Sequence, residues 1–560
     1  ALGLAFDAGR SDEPLRILES PGLRIAAILD GRRCVDAMRV MRSAQIRYED
    51  QRLETVARGV LGEGKLLASR GSEKLDELDE LYARDPEAYA AYCLRDAELP
   101  LAILEKSGMG ELTRLRSSLT GLDPERAWTS VPAFERVYGL ALRARGVLPV
   151  PPPAPRVGGA MGGLILDPRP GLFEGVAVFD FRSLYPSIIR TFNIDPCALV
   201  RGGEASADAD TIQAPNGARF YRERGALPAV VDEWTALRQA ALAAGDEPRA
   251  YVLKILQNSF YGALGSPGCA WADDRLSGAI TGFGQALLKA TRDWLAGRGY
   301  EVLYGDTDSV FVRLGTGGAL PAGDAPVAEP RALAERLAAE ATAALAALVA
   351  ERWGALSRLE LRFDKFYARF LIPRIRGDRA ARLRDELRRL GAAELAEELP
   401  EPKGRAKGYA GLLVGADGSA HVDVKGLEAA RGDWTPLARR FQLELLALAF
   451  GDGAAETREA AARDYARALS AELRAGRLDR ELEFRRVLKR DLERYAADAP
   501  HVKAARLSGA SSRGDAVSYI QTAAGPEPPG SSERPPDYAW YLERQLGPIW
   551  ESVAEAAGWE

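Results

Sequence analysis

The sequence predicts an α+β chain of several parts, and three observations carry that reading. "VAVFDFRSLYPSIIRTFNIDP" (176–196) joins a buried strand to the start of a helix. "YEVLYGDTDSVFVRL" (300–314) sets two apolar runs around a Gly/Asp turn, the pattern of a β-hairpin. Amphipathic or Ala/Leu-rich stretches, one ending near Trp353 and others across 436–507, read as helices. With 560 residues, the chain has room for several domains of about 100–200 residues each.

Composition narrows the class. The chain is 47% hydrophobic and 28% charged, which is globular, and no apolar run of about 18 residues predicts a membrane span. The first residues, "ALGLAFDAGRSDEP", lack the charged start and long apolar centre of a signal peptide. They also lack an initiator Met, so the front is expected to be cut. Cys34, Cys93, Cys197 and Cys269 are scattered without a CxxC pair, which disfavours a zinc site or disulfide framework and fits a reducing cytosol. His421 and His501 are the only histidines, which disfavours a His-based metal site or triad. A net charge of −5 does not advertise a nucleic-acid binder, but positive charge can be confined to one groove.

Along the chain, "PVPPPAPRVGGAMGG" (149–163) reads as a Pro/Gly connector. "VAVFDF" is the buried strand, and "SLYPSII" turns into a helix whose first turn suits Pro186. "DEWTALRQAALAA" is an amphipathic helix carrying Arg238. In "YVLKILQNSFYGALGSPG" (251–268), Lys254, Asn258 and Tyr261 fall at i, i+4 and i+7 on one helix face. Val252, Leu253, Ile255 and Leu256 occupy the other faces. "GTGGALPAGDAPVAEP" (315–330) is weakly structured. Residues 376–405 read as a solvated helical insertion, with apolar spacing at Leu383, Leu387 and Leu390. From Leu507 a Gly/Ser/Pro-rich tail leads to a short helix from about Tyr538.

The chemistry centres on Asp306 and Asp308. Gly and Asp are ordinary turn residues, but two like charges this close repel unless a cation lies between them. Asp180, near the end of its strand and just before a helix, supplies a third carboxylate. A strand end can fix that carboxylate while N–H groups of the following turn hold phosphate oxygens. Lys254 can grip phosphate where it would otherwise only extend to water, and Arg238 adds a second cation suited to phosphate. Three carboxylates with a cationic helix describe phosphoryl or nucleotidyl transfer, provided the segments meet in space.

"DFRSLYPSII", "KILQNSFYG" and "YGDTDS", in that order, resemble the A, B and C motifs of family B DNA polymerases. "AKGYAG" (406–411) and "KGLEAARGDWTPLARRFQ" (425–442) resemble two further segments of that family. "RPGLF", "IIRTFNIDP", "DWTPLARRFQ", "PHVKAARL" and "GPEP" are similar to its bacterial branch. The resemblance runs from about 53 to 548.

It implies a right-hand polymerase, with an antiparallel-sheet palm, helical fingers and a mostly helical thumb. The C-terminal remainder of an RNase H-like 3′–5′ exonuclease domain would precede them. The implied parts are 1–121 exonuclease-like, 122–225 and 268–424 palm, 226–267 fingers, and 425–560 thumb and tail. Asp180 and Asp308 would be the main metal ligands, Asp306 an accessory carboxylate, and the Phe181 carbonyl a further ligand. Two Mg²⁺ ions are implied, with Mn²⁺ able to substitute. Ser183, Leu184 and Tyr185 would bind triphosphate oxygens, and the Tyr185 ring would exclude a 2′-hydroxyl by clash. Lys254 and Arg238 would hold the incoming phosphates, and Asn258 and Tyr261 would line the nascent base pair. Lys407 and Tyr409 would touch DNA near the primer end, with Lys425, Gly426 and Arg431 on the primer strand. Arg485, Arg486, Lys489, Arg490 and Arg494 would follow the duplex backbone; a solvated helix face is the plainer reading of that cluster.

The implied partners are primer–template DNA and dNTPs. A sliding clamp would fit, although no clamp-binding peptide is visible; a monomer, no membrane, and a cytoplasmic, nucleoid-associated location are expected. Roles in bacterial repair, lesion bypass or replication restart all suit the resemblance. Departures from the pattern are Leu242 where the family has Lys four residues after Arg238, and Ala406 before Lys407. "YCLRD" (92–96) resembles the third exonuclease motif, with Asp96 as metal ligand and Tyr92 orienting water. The first two exonuclease motifs have no match, since "AFDAG" offers only Asp7, so proofreading is not expected. Two other classes stay open, an inactive polymerase-like DNA-binding or scaffold protein and a nuclease whose polymerase half only holds DNA. The three retained carboxylates argue against the first, and the missing upstream carboxylates argue against the second.

Overall fold

The computed structural model describes residues 16–20, 24–43, 48, 51–67, 72–148, 162–201, 210–315, 328–377, 379–392, 395, 397, 399, 401, 403–415, 417–531 and 534–559. Most of the 149–163 connector, most of 315–330, parts of the 376–405 insertion, and Asp7 lie outside these residues. The chain divides into two compact units, residues 1–160 with 188–280 and residues 161–187 with 281–560.

The second unit is built on a seven-stranded sheet. Its strand order is Ala420–Lys425, Tyr409–Val414, Leu361–Ile372, Gly171–Phe181, Ser309–Arg313, Glu301–Asp306, Ile165–Leu166. Every neighbouring pair is antiparallel. Gly171–Phe181 is central, and Val176, Ala177, Val178 and Phe179 are all buried in succession. A strand covered on both faces needs such an unbroken apolar run rather than alternation. Beneath the 304–312 hairpin lies an aromatic cluster of Tyr304, Phe311, Tyr367, Phe370 and Tyr409. Phe311 sits 5.3 Å from Phe370 and 5.1 Å from Tyr409, ring centre to ring centre. Each such pair adds about 0.5–1.5 kcal/mol beyond its buried area, so the hairpin rests on a stiff floor.

The C-terminal part of this unit shares a core with the sheet. Leu371 and Ala410 pack in one cluster with Phe441, Leu445, Leu473, Tyr541 and Ile549. The helix Pro436–Ala449 starts cleanly because Thr435 accepts a hydrogen bond from Ala438 N (3.2 Å) and Pro436 takes the first helical position. The thumb helices are joined by a small sheet that the residue pattern does not announce. Phe484–Val487, Ala516–Thr522 and Gly525–Glu527 form three antiparallel strands. The stretch after Leu507 is therefore not only a tail leading to a helix. Val517 and Tyr519 are buried at period two, while the glycines and serines that dominate its composition flank the strand. In the insertion, the helix Arg379–Arg389 forms, but Leu383 and Leu390 are exposed. Its buried side chain is Arg384, which donates to the Leu399 carbonyl and pairs with Glu401 at 2.6 Å.

The first unit holds a hairpin (Arg16–Ser20 with Arg24–Ile28) and a set of helices including Leu53–Leu61, Pro86–Lys106, Met109–Thr120 and Ser130–Ala144. Ala226–Ala243 and Glu247–Leu264 form its antiparallel helical pair. Residues 122–148 and 188–225, which the resemblance assigns to the palm, group with this unit. The reason is a buried polar junction. Tyr138 donates to Asp195 Oδ1 (2.8 Å), and the other carboxylate oxygen accepts from Leu227 N (2.7 Å), at the start of the Ala226–Ala243 helix. Asn193 clasps the same corner through Tyr221 O, Glu223 O and Gly225 N.

Candidate functional site

The hairpin turn brings the motif carboxylates onto adjoining strands. Asp180 stands opposite Ser309 on one side, and Asp306 stands opposite Ser309 on the other. The Phe181 amide donates to the Asp308 carbonyl (2.8 Å), which ties the Asp180 strand end to the turn. Thr307 takes a left-handed φ of 59°, a costly conformation for a β-branched residue and one that clusters at functional sites. Its amide is anchored on the Leu164 carbonyl (2.8 Å).

The two turn carboxylates have different surroundings. Asp306 accepts from Thr307 Oγ1 (3.0 Å) and from Tyr304 Oη (3.4 Å), and Lys407 Nζ lies 3.4 Å away. Asp308 forms no ion pair among the described residues. Burial pushes its carboxyl above the usual range, and the adjacent Asp306 charge pushes the same way. A cavity of about 240 Å³ opens here, lined by Tyr304, Asp306, Asp308, Ser309, Lys407 and Tyr409 among others.

Lys407 is held in place by contacts that the local sequence does not signal. It adopts a left-handed φ of 59°, and its amide donates to Tyr304 Oη (3.0 Å). Gly426 has φ 62°, and a Cβ there would lie 1.8 Å from the Lys407 carbonyl oxygen. Only glycine fits that approach. Two residues on, Glu428 is fully buried yet ionised. Burial acts to raise its pKa, but hydrogen bonds from Gln442 and Arg405 and the charge of Arg376 hold it below the usual range. The distances are 2.7 Å to Gln442, 2.9 Å to Arg405 and 3.1 Å to Arg376. A Glu three residues past a Lys-Gly pair gives no signal of this by itself.

Ser183, Leu184 and Tyr185 lie where the strand passes into the helix Leu184–Phe192. Ser183 has a left-handed φ of 51°, Leu184 is buried and Tyr185 half-buried. On Glu247–Leu264, Lys254 and Asn258 are exposed and Tyr261 is half-buried, while Val252, Leu253 and Leu256 are buried. The three therefore share the outward face, as their spacing predicts. Burial raises the Tyr261 phenol. Arg238 is half-buried on Ala226–Ala243 and Leu242 is exposed.

Several of the basic residues expected along DNA carry an acidic neighbour. Lys425 lies 3.3 Å from Asp423, and Arg431 forks onto Asp433. Arg486 lies 3.6 Å from Asp433. Arg485 and Arg486 are on the strand Phe484–Val487, not on a helix face, and Lys489 and Arg490 follow it. All four are exposed. Adjacent strand residues point to opposite faces, so this cluster is not one stripe. Asp423 also accepts from Tyr367 Oη (2.7 Å).

In the first unit, Tyr92 and Asp96 are one turn apart on Pro86–Lys106. Both meet Lys65, whose ammonium lies 2.5 Å from Asp96 Oδ2 and 3.4 Å from Tyr92 Oη. Burial acts to lower the Lys65 pKa, but the Asp96 and Tyr92 contacts win and raise it. Asp96 Oδ1 is buried without a hydrogen-bond partner among the described residues.

Among the described residues, no three His, Cys, Asp or Glu side chains group to hold a metal ion. That does not disagree with the hairpin's donor set. Mg²⁺ is usually held by one or two carboxylates plus substrate phosphates and water, not by an all-protein cage. Asp180, Asp308 and the Phe181 carbonyl are hard oxygen donors of the required kind. Among the described residues, no helix is long and apolar enough to cross a membrane.

Comparison with known proteins gives a consistent likeness. The model described as DNA polymerase family B matches residues 135–319. DNA polymerase II of Escherichia coli (strain K12) is 35% identical over 539 residues, 93% of this chain and 63% of that protein. Over most of its length this chain is therefore similar to DNA polymerases of family B. DNA polymerase 2 of Aeropyrum pernix is 28% identical over 361 residues, covering 62% of this chain and 37% of that one. The chain therefore spans less than two thirds of the length of both relatives. The family B DNA polymerase of Pyrobaculum calidifontis shares the fold, with a TM-score of 0.59 at 24% identity, over 99% of this chain and 67% of that one. The antiparallel sheet and surrounding helices of this chain thus share the fold of a family B DNA polymerase.

Proposed function

We propose that this chain is a template-directed DNA polymerase, adding deoxynucleotides to a primer 3′-OH and releasing pyrophosphate, in bacterial repair, lesion bypass or replication restart. The observation that carries the reading is the pairing of the Asp180 strand end with the Asp308 turn through the Phe181 N–H. It sets the Asp180 strand end against the turn that carries Asp308, and Asp306 and Asp308 line the cavity there.

Asp180, Asp308 and the Phe181 carbonyl would hold two Mg²⁺ ions, which when bound supply charge neutralisation at the attacking and leaving oxygens. The residues of the chain do the positioning. Backbone groups of Ser183–Tyr185, with Lys254 and Arg238, hold the triphosphate. The Tyr185 ring fills the space a 2′-hydroxyl would need. Asn258 and Tyr261 line the new base pair, and Lys407, Tyr409, Lys425, Gly426 and Arg431 meet the primer end. Arg485, Arg486, Lys489 and Arg490 serve the duplex backbone from the thumb sheet. The partners are primer–template DNA and dNTPs, the chain acts as a monomer in the cytoplasm, and a sliding clamp is a compatible partner. Proofreading is not part of this reading, because Asp96 is already held by Lys65.

Primer extension tests it. Purified chain with a primed template, Mg²⁺ and dNTPs should lengthen the primer according to the template. Failure to extend, with DNA still bound, would overturn the reading in favour of a binding protein.

A further inference from the structure

A second cavity lies in the sheet-bearing unit, well away from the carboxylates. It has a volume of about 480 Å³, within the range of ligand pockets. It is lined at the start of the central strand by Gly171, Leu172 and Glu174, and by Arg313, Arg374, Arg458 and Glu555. Asp180 lies at the other end of that strand. Six to nine residues of extended chain separate them, roughly 20–30 Å.

The charges in this cavity do not balance. Arg374 is paired with Glu555 (2.9 Å), and Glu174 lies 3.6 Å from Arg369. Among the described residues, Arg313 pairs only with Glu301, at 3.5 Å, and Glu301 is already bonded by Arg169. Arg458, near the start of the helix Ala455–Arg474, forms no ion pair among the described residues. The Nε atoms of Arg313 and Arg458 are both buried without a hydrogen-bond partner. Buried donors are nearly always satisfied, and an uncompensated guanidinium is costly to desolvate. The C-terminal turn of Gly547–Ala557 also borders the cavity, and two of its carbonyls are engaged. Gly558 N donates to Glu555 O (3.4 Å) and Trp559 N to Ala554 O (2.9 Å).

We infer that this cavity binds a small polyphosphate, of the pyrophosphate or triphosphate class, through Arg458 and Arg313, with Arg374 at its edge. Guanidinium forks match phosphate oxygens bidentately, and three arginines lining one open cavity suit an anion of several charges better than a single carboxylate. The inference goes beyond the polymerase reading and does not rest on it, since none of these residues has a role there.

Calorimetric titration of the purified chain with sodium tripolyphosphate, in EDTA so that no metal bridges the ligand, tests the site. The parent should bind saturably, and Arg458→Ala should weaken binding by at least about tenfold. Arg458→Lys should recover part of the loss, and Arg458→Ala should cause the same loss in a Lys254→Ala background, where the triphosphate contact of the proposed polymerase site is already removed. The melting temperature and primer extension of Arg458→Ala should match the parent. No saturable binding, equal binding by Arg458→Ala, or no effect of Arg458→Ala in the Lys254→Ala background would each overturn the assignment. Citrate bound as tightly as tripolyphosphate through Arg458 would overturn the phosphate class. Displacement of tripolyphosphate by a short single-stranded oligonucleotide, lost with Arg458→Ala, would overturn the free-polyphosphate source in favour of backbone phosphate.

Discussion

Two of the lysine–aspartate pairs in this molecule do opposite things. At Asp96 the lysine is close and enclosed: Lys65 lies 2.5 Å away, with side chains 17% and 25% exposed. At Asp306 it is looser and open: Lys407 lies 3.4 Å away and is 62% exposed. The first carboxylate has its cation built in. At the hairpin, the lysine meets only the accessory carboxylate, and Asp308 keeps an open cavity beside it. A partly buried ion pair at hydrogen-bonding distance is not readily exchanged for a solvent cation, whereas a screened surface pair is worth little and separates easily. The Asp96 carboxylate has its cation supplied by the chain, whereas the hairpin keeps the open space that the proposed metal role requires.

The sharpest way to break this comparison is to remove one carboxylate from each site. Asp308→Ala should cut primer extension by about 10³-fold or more while leaving primer–template affinity near normal. Asp96→Ala should leave extension unchanged. Equal extension by Asp308→Ala and the parent in a single-turnover assay would remove the hairpin from the chemistry.

Tyr185 tests whether the hairpin side also selects its substrate. Tyr185→Ala should raise the rNTP/dNTP insertion ratio on the order of 10–100-fold. If the ring is only a packing residue, both rates and the melting temperature should fall together and the ratio should stay put.

Glu428 tests how firmly the loop under Lys407 is held. Glu428→Ala strands Arg405 and Arg376 beside an emptied buried site and should cost about 3–5 kcal/mol, read as a loss of denaturation midpoint. The pH dependence follows from its lowered pKa. The stabilisation is complete above the ordinary Glu range and disappears as pH falls through the depressed folded value. The gap between parent and variant should therefore narrow in acid; a gap constant with pH would show that Glu428 contributes by packing alone.

The smallest expected effect comes from Lys65. Lys65→Met leaves Asp96 without its cation and should cost about 1–3 kcal/mol of stability, with extension unchanged. Because the Lys65 pKa is raised, the parent's advantage should hold at neutral pH and fade only as pH rises through that raised value. Mg²⁺-dependent shortening of a mismatched primer by the parent chain would contradict the closed-site view of Asp96.

Much of this molecule is legible in the order of its residues. The unbroken apolar run 176–179 announces a doubly covered strand, the "YGDTDS" turn announces the hairpin, and the spacing of Lys254, Asn258 and Tyr261 places them on one helix face. These are local patterns, set by the 2.0 and 3.6 periods of strand and helix, so neighbouring residues suffice to determine them. Local order does not say that Tyr304 carries the Lys407 amide, that Gly426 lies under the Lys407 carbonyl, or that Glu428 draws in two arginines. Nor does it say that Lys65 sits on Asp96, or that a strand lies in the Gly-rich stretch after Leu507. Those contacts join residues about 20 to 100 positions apart, and the late strand forms because Phe484–Val487 offers it a partner. Charge neutralisation and strand pairing depend on which segments meet, and only the packed chain decides that.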